Sequence, residues 1–314
     1  MAREASPVIA GLGMSVLDLV QVVEAFPEAG GVSRVLDSVM MGGGPVPTAL
    51  CAAAKYGVPA VILDRLGEDW KGALLRADYE RYGVETRYLL SEPGRTNTLG
   101  TVLVRQSDGE RHLIYEEGDT TPLSTTGLPA EVLDSCHLLH LNGRHWPACL
   151  DAARRVRERG GLVSFDGGAH RYDPKFVELF PWIDVLIVAA DFADQAVGIG
   201  SRESQLERLV RWGASLTGIT DGIRGSWILK KGEVPFHQPA FEVPRVVDTT
   251  GCGDVYHGIF LAALVESESP RVAAKLASAG SALAATALGG RGFLPTKAEI
   301  AAFLESAREV TGAV

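Results

Sequence analysis

The 314-residue sequence lacks the marks of several large protein classes. Its four cysteines (Cys51, Cys136, Cys149, Cys252) stand far apart with no Cys-x-x-Cys pair, which argues against a disulfide frame or zinc site and for reduced thiols in a cytoplasmic protein. Basic residues are outnumbered, 30 Lys and Arg against 39 Asp and Glu. The net charge of −9 argues against nucleic acid or an anionic membrane surface as a partner. No apolar run is long enough to span a bilayer, and Met1–Pro7, with Arg3 and Glu4, shows no signal-peptide pattern. The seven histidines form no His-x-x-x-His pair on a clear helix face, so a histidine-held catalytic metal is not expected. Two glycine fingerprints are incomplete. Gly11-Leu12-Gly13 meets Val16 where a dinucleotide motif needs its third glycine, and Met41-Gly42-Gly43-Gly44-Pro45 lacks the Gly-Lys-Ser/Thr ending of a P-loop. The first gap disfavours a nicotinamide-dependent oxidoreductase.

What is present is a hydrophobic content of 46%, enough for a sizeable α/β core. Short apolar runs at Pro7–Gly13, Ala60–Leu63, Cys136–Leu141, Leu162–Asp166, Val185–Ala189, Leu216–Thr220 and Ser226–Lys230 read as strands. Helical patterns at Pro47–Tyr56, Trp70–Tyr82, Ala148–Arg159, Ser204–Trp212 and Pro270–Leu288 alternate with them. That rhythm predicts βαβ units and a mostly parallel sheet covered on both faces. Two regions break it: Val16–Met41 carries short strands, and Thr96–Glu117 reads as a hairpin around Ser107-Asp108-Gly109. They predict a small β-sheet beside the main body.

The stretch Val247-Asp248-Thr249-Thr250-Gly251-Cys252-Gly253-Asp254 follows an extended-looking run, Phe241–Val247, and opens a long apolar pattern, Val255–Val265. Such a glycine-rich turn presents the free N–H groups and positive dipole end of a helix to an anion. A carboxylate at 254 inside that site repels a phosphate. The placement makes chemical sense if Asp254 takes a proton from a hydroxyl attacking a phosphoryl group. The plainer alternative is an N-cap and a tight turn, which needs one Asp, Ser or Thr and not two aspartates flanking Gly-x-Gly. Cys252, at a helix start, is also a candidate reactive thiol.

This stretch resembles the Asp-Thr-x-Gly-Ala-Gly-Asp signature of the ribokinase-like (PfkB) carbohydrate kinases, with Cys252 in place of Ala. The resemblance runs from Asp18 to Arg291. It implies a three-layer αβα sandwich with a mostly parallel central sheet, one kinase domain over 1–314, and a small β-sheet lid from about 16–41 and 96–117. It further implies ATP and Mg²⁺, a sugar acceptor, and a homodimer formed through the lid. Asp254 is then the base, and the N–H groups of Gly251, Cys252 and Gly253 form the anion hole. Asp18, Gly42 and Gly43 match sugar-contacting positions. The usual Asn is replaced by Pro47, leaving Thr48 as a substitute contact. Thr220-Asp221-Gly222-Ile223-Arg224-Gly225 resembles the nucleotide loop, with Thr220, Gly222, Arg224 and Gly225 as nucleotide contacts. Asp191 and Asp194 stand where the family has Asn-x-x-Glu, which orders Mg²⁺ and its waters. Asp248 and Thr250, near Gly289-Gly290-Arg291-Gly292, are placed for a monovalent cation such as K⁺. Gly67-Glu68-Asp69-Trp70-Lys71-Gly72 matches a family element whose Asp69 caps the next helix. Asn142 and Arg144 follow a strand end, where α/β sheets bind ligands, and an arginine there suits an anionic group on the sugar. Gly42–Pro45, His237–Phe241 and Arg144 look closest to the sulfofructose kinases, although Tyr115 stands where that group has a polar amide. Two readings follow: an ATP-dependent kinase acting on a primary hydroxyl of a sugar, or a sugar- or nucleotide-sensing protein on the same fold without catalysis.

Overall fold

The computed structural model describes residues 8–311, so Met1–Pro7 lie outside the described residues. An eight-stranded sheet runs, edge to edge, Phe236–Gln238, Ser226–Lys230, Leu216–Thr220, Val185–Ala189, Leu162–Gly167, Leu138–Leu141, Ile9–Leu12 and Ala60–Leu63. The last six pair in parallel, and the first two close one edge in antiparallel fashion. The central strands are mostly apolar because both faces are covered. Successive residues go to opposite cores: Ile9, Leu138 and Ile187 to one, Ala10, Leu139 and Leu186 to the other. The first core holds the helices Pro45–Tyr56, Cys252–Val265 and Pro270–Ala284. The second holds Ala130–Ser135, Trp146–Glu158, Ala190–Val197 and Arg202–Leu209. These are the three layers of the expected αβα sandwich.

The helix boundaries follow local chemistry. Asp69 accepts a hydrogen bond from Gly72 N at 2.8 Å and starts Trp70–Tyr82, which Gly83 closes in the left-handed region. Gly258 allows Cys252–Val265 to lie against the backbone of Pro45–Tyr56, since a Cβ there would overlap the Ala49 carbonyl.

A second, four-stranded sheet has the order Val35–Gly43, Val16–Val23, Thr98–Arg105, Arg111–Glu116. It has its own small core of Val20, Val102 and Val104, joined by Leu288 from the loop after Pro270–Ala284. Its edge strand Arg111–Glu116 is exposed along its length.

Several boundaries are set by contacts that the sequence does not show. The segment Pro270–Leu288, expected as one long helix or a helix pair, is one helix that stops at Ala284, where the Ala285 carbonyl turns out to accept from Val247 N and Asp248 N. The helix expected over Ser204–Trp212 tightens to a 3₁₀ turn at Val210–Trp212 before Gly213. Phe241–Val247 joins no sheet; Phe241 alone bridges to Glu309.

Candidate active site

The centre of the site is the start of the Cys252–Val265 helix. Gly251 adopts the left-handed conformation, φ 72°, and packs on Gly290, whose Cα would lie 2.6 Å from an added Cβ. No side chain caps this helix end. Gly253 faces open space, so an anion can approach its N–H. The Cys252 N–H leans on the Thr249 carbonyl at 3.3 Å. Asp248 is buried and shapes the turn: one carboxylate oxygen accepts from Thr250 N (2.8 Å) and Thr250 Oγ1 (2.7 Å), the other from Gly289 N (2.9 Å). Its oxygens thus clamp the motif to the 285–292 loop.

Asp254 lies in the first helical turn. Burial pushes its carboxyl well above the ordinary carboxylate range. The nearby Asp166 carboxylate pushes the same way, against Arg171, His257 and Arg111. A base poised nearer neutrality is suited to accept a hydroxyl proton. The Cys252 thiol is also raised, to about 12, by burial and by Asp248, with Arg111 opposing and Asp254 adding. Burial outweighs the helix dipole here, so the reactive-thiol alternative finds no support.

The small sheet brings Asp18 against the glycine run. An added Cβ on Gly43 or on Gly100 would overlap the Asp18 carboxylate, so both glycines are required by this close approach. Burial raises Asp18 to about 6, with Arg291 lowering and Asp248 raising it. Gly42 N donates to Asp78 Oδ2 at 3.1 Å, and Arg291 NH2 donates to the Gly43 carbonyl at 3.1 Å. Arg291 is wholly buried, pairs with Asp78 at 2.6 Å, and donates through Nε to Thr48 Oγ1 at 3.2 Å. Thr48, the expected substitute sugar contact, is buried, and its hydroxyl accepts from Arg291.

Asn142 and Arg144 follow the strand end at Leu141, the Asn142 side chain accepting from Arg144 N at 3.4 Å. The adjacent strand, Leu162–Gly167, leads to Arg171. Neither Arg144, Arg171 nor Arg111 has a carboxylate within salt-bridge distance among the described residues, and Arg144 is depressed by burial and by Arg171. The sequence reading missed Arg171, Arg111 and Asp166. Asp166 alone was within its reach, as the last residue of a predicted strand.

The remaining expected residues lie farther along the same sheet edge. Gly222 and Gly225 have positive φ, 54° and 87°, in a tight turn after Thr220. The Arg224 guanidinium is already held by Asp221, at 2.7 Å and 2.9 Å, which Arg202 also grips. Asp191 Oδ2 accepts from His170 N at 2.6 Å, and Asp194 Oδ1 from Arg202 (3.0 Å) and Gln205 (2.7 Å). One oxygen of each carboxylate is thus engaged, and the other has no hydrogen-bond partner among the described residues. This fits Mg²⁺ approached through waters.

An α/β sandwich with a helix-start anion site and a raised carboxyl beside it defines the architecture of a phosphoryl-transfer enzyme. The pfkB family carbohydrate kinase pattern matches residues 8–297. The chain belongs to that family of ATP-dependent carbohydrate kinases. It is 27% identical over 288 residues, 90% of this chain and 93% of the relative, to the ATP-dependent ribose-1-phosphate kinase of Halopiger xanaduensis. Its fold matches ribokinase of Arabidopsis thaliana complexed with ribose and ATP, with TM-score 0.82, 24% identity, and coverage of 96% of this chain and 99% of that one. It also matches adenosine kinase of Sinorhizobium meliloti, with TM-score 0.83, 20% identity, and coverage of 96% and 99%.

Proposed function

We propose that the protein transfers the γ-phosphoryl group of ATP to a primary hydroxyl of a sugar derivative carrying its own anionic group. The observation that carries the transfer step is the raised Asp254 carboxyl in the first turn of an uncapped helix. Asp254 accepts the hydroxyl proton while the new oxygen–phosphorus bond forms and the bond to ADP breaks. The N–H groups of Gly251, Cys252 and Gly253 receive the charge on the transferring group. Asp18, Gly42 and Gly43 orient the sugar, with Asn142 and Arg144 at the rim. Thr48 acts through Arg291, not on the sugar. Thr220, Gly222, Arg224 and Gly225 border the nucleotide, which requires Arg224 to exchange Asp221 for phosphate. Mg²⁺, when bound, neutralises β- and γ-phosphate charge, and Asp191 and Asp194 orient its waters. Asp248 and Thr250 are the seat we assign to a monovalent cation such as K⁺.

The anionic acceptor is inferred from Arg144 and Arg171 on adjacent loops at one sheet edge. Arg144 and Arg171 repel one another, Glu117 near the first and Asp166 near the second offset this without forming a salt bridge, and an anion between the two guanidinium groups is stabilised there. We read the chain as one kinase domain. Segments 16–41 and 96–117 form the lid, which excludes water during transfer. A second copy of the chain covers the outer face of the lid, where Met40 and Ile114 are exposed.

The test is ADP release from ATP–Mg²⁺ across neutral sugars, sugar phosphates, sugar acids, sulfonated sugars and nucleosides. Activity with an anionic member, lost in Asp254→Asn and weakened in Arg171→Ala, is expected. Activity confined to neutral sugars would overturn the acceptor class. Sugar and ATP binding without turnover would instead establish the sensing alternative.

A further inference from the structure

Directly behind Asp254 lies a charged set that the transfer step does not use. His257 stands one turn further on the same helix and is 3% exposed. Its Nε2 lies 3.3 Å from Oδ1 of Asp166, itself 3% exposed at the carboxyl end of a central strand. Its Nδ1 is buried without a hydrogen-bond partner. On the neighbouring strand His140, wholly buried, makes one contact, Nδ1 to Ser164 Oγ at 3.2 Å, and its Nε2 is likewise without a partner. The two imidazole rings are 5.4 Å apart.

Apolar side chains fill the core around this set, and a buried ion pair there is poor value as a stabiliser. Leucine or valine would pack these strand and helix positions without desolvating a charge. What distinguishes the place is its neighbour: residues 254 and 257 share a helix face, and Asp166, one residue before the end of its strand, reaches His257.

We propose that Asp166 and His257 are positioning residues for the Asp254 base, a charged pair that sets the field in which Asp254 holds and releases its proton. The proposal rests on Asp254 being the base. The pair itself exchanges no proton with substrate. Asp254 faces Asp166 from the strand, His257 from its own helix, Arg171 from the following loop and Arg111 from the small sheet. His257 faces Asp166, Asp254 and His140. Burial and His257 hold His140 down to about 3, so it is neutral, and the positive charge rests on His257, held up by Asp166 against the cost of burial. Without His257 the Asp166 carboxylate keeps only Arg171 as an opposite charge and makes the ionisation of Asp254 harder. Without Asp166 that repulsion disappears.

The two partners therefore have opposite effects, which a merely structural pair would not produce. The experiment is ¹³C-carboxyl NMR titration of the aspartate-labelled full chain, with Asp254 assigned by the loss of its signal in Asp254→Asn. It needs no acceptor sugar, so its result is independent of whether the proposed substrate is right. In His257→Gln the Asp254 midpoint should rise by about one pH unit, the scale of losing one adjacent opposite charge. In Asp166→Asn it should fall, and the double variant should lie between. Midpoints that stay within about 0.3 of wild type, or move in the same direction, would overturn the proposal. Should the variants not fold, ¹⁵N-imidazole titration of the wild-type chain decides. A His257 midpoint above the ordinary histidine value of 6.5 supports the charged pair, and one below it refutes the pair.

Discussion

Burial raises both ionisable groups at the start of the Cys252–Val265 helix, with opposite chemical consequences. For Asp254 a raised pKa makes a stronger base close to neutral pH. For Cys252 it removes the thiolate that would react. Replacing Asp254 by Asn is expected to cut kcat by about 10³–10⁴-fold, the scale of losing a general base, while ATP affinity measured by calorimetry stays within about twofold. Retention of near-wild-type kcat would remove Asp254 from the base role. Cys252 should resist alkylation by iodoacetamide at pH 7.5 in the folded chain, and mass spectrometry after brief exposure checks this. Asp18 has its own pH signature. Its carboxyl, raised to about 6, loses its charge as pH falls through that value. If the ionised form accepts the sugar hydroxyls, KM for the acceptor should rise below about pH 6 while KM for ATP stays level.

At the scale of elements, the small sheet, the Trp70–Tyr82 helix and the loop after Pro270–Ala284 are joined through Arg291. Its guanidinium spans Asp78, Thr48 and the Gly43 carbonyl, and Asp78 in turn receives the Gly42 N–H. Arg291→Met leaves Asp78 without its partner and should lower unfolding free energy by about 3 kcal/mol in denaturant titration. A loss under about 0.5 kcal/mol would mean that the pair is not what holds the loop. Gly43→Ala tests the same junction from the substrate side. The new methyl displaces the Asp18 carboxylate, so KM for the acceptor should rise more than kcat falls.

Across the whole molecule, the large sheet buries both faces, whereas the outer face of the small sheet leaves Met40 and Ile114 in solvent, 42% and 57% exposed. If a second copy covers that face, Ile114→Glu should shift the chain to monomer in sedimentation velocity. A wild type that is monomeric at micromolar concentration would exclude this partner. Among the described residues no helix is long and apolar enough to cross a membrane. Much of this architecture was legible because the strands are short, largely buried and rich in apolar residues: Ala60–Leu63, Val185–Ala189, Leu216–Thr220 and Ser226–Lys230 fall where the pattern placed them. The end of Pro270–Ala284 was not legible, because its alanines continue the helical pattern to Leu288. What stops the helix is a distant partner, the Val247–Asp248 backbone, which takes the Ala285 carbonyl.

The sequence by itself determined the α/β layering and the glycine turn that opens on Asp254, since apolar period, caps and left-handed glycines act between residues close in the chain. Only the tertiary structure decided that Thr48 serves Arg291 and that Asp166 and His257 stand behind the base. Those arrangements join residues 91 and 243 positions apart. They are set by which strand ends and helix starts meet at one edge of the sheet. Charge and desolvation act through that spatial neighbourhood, and a local pattern does not encode it.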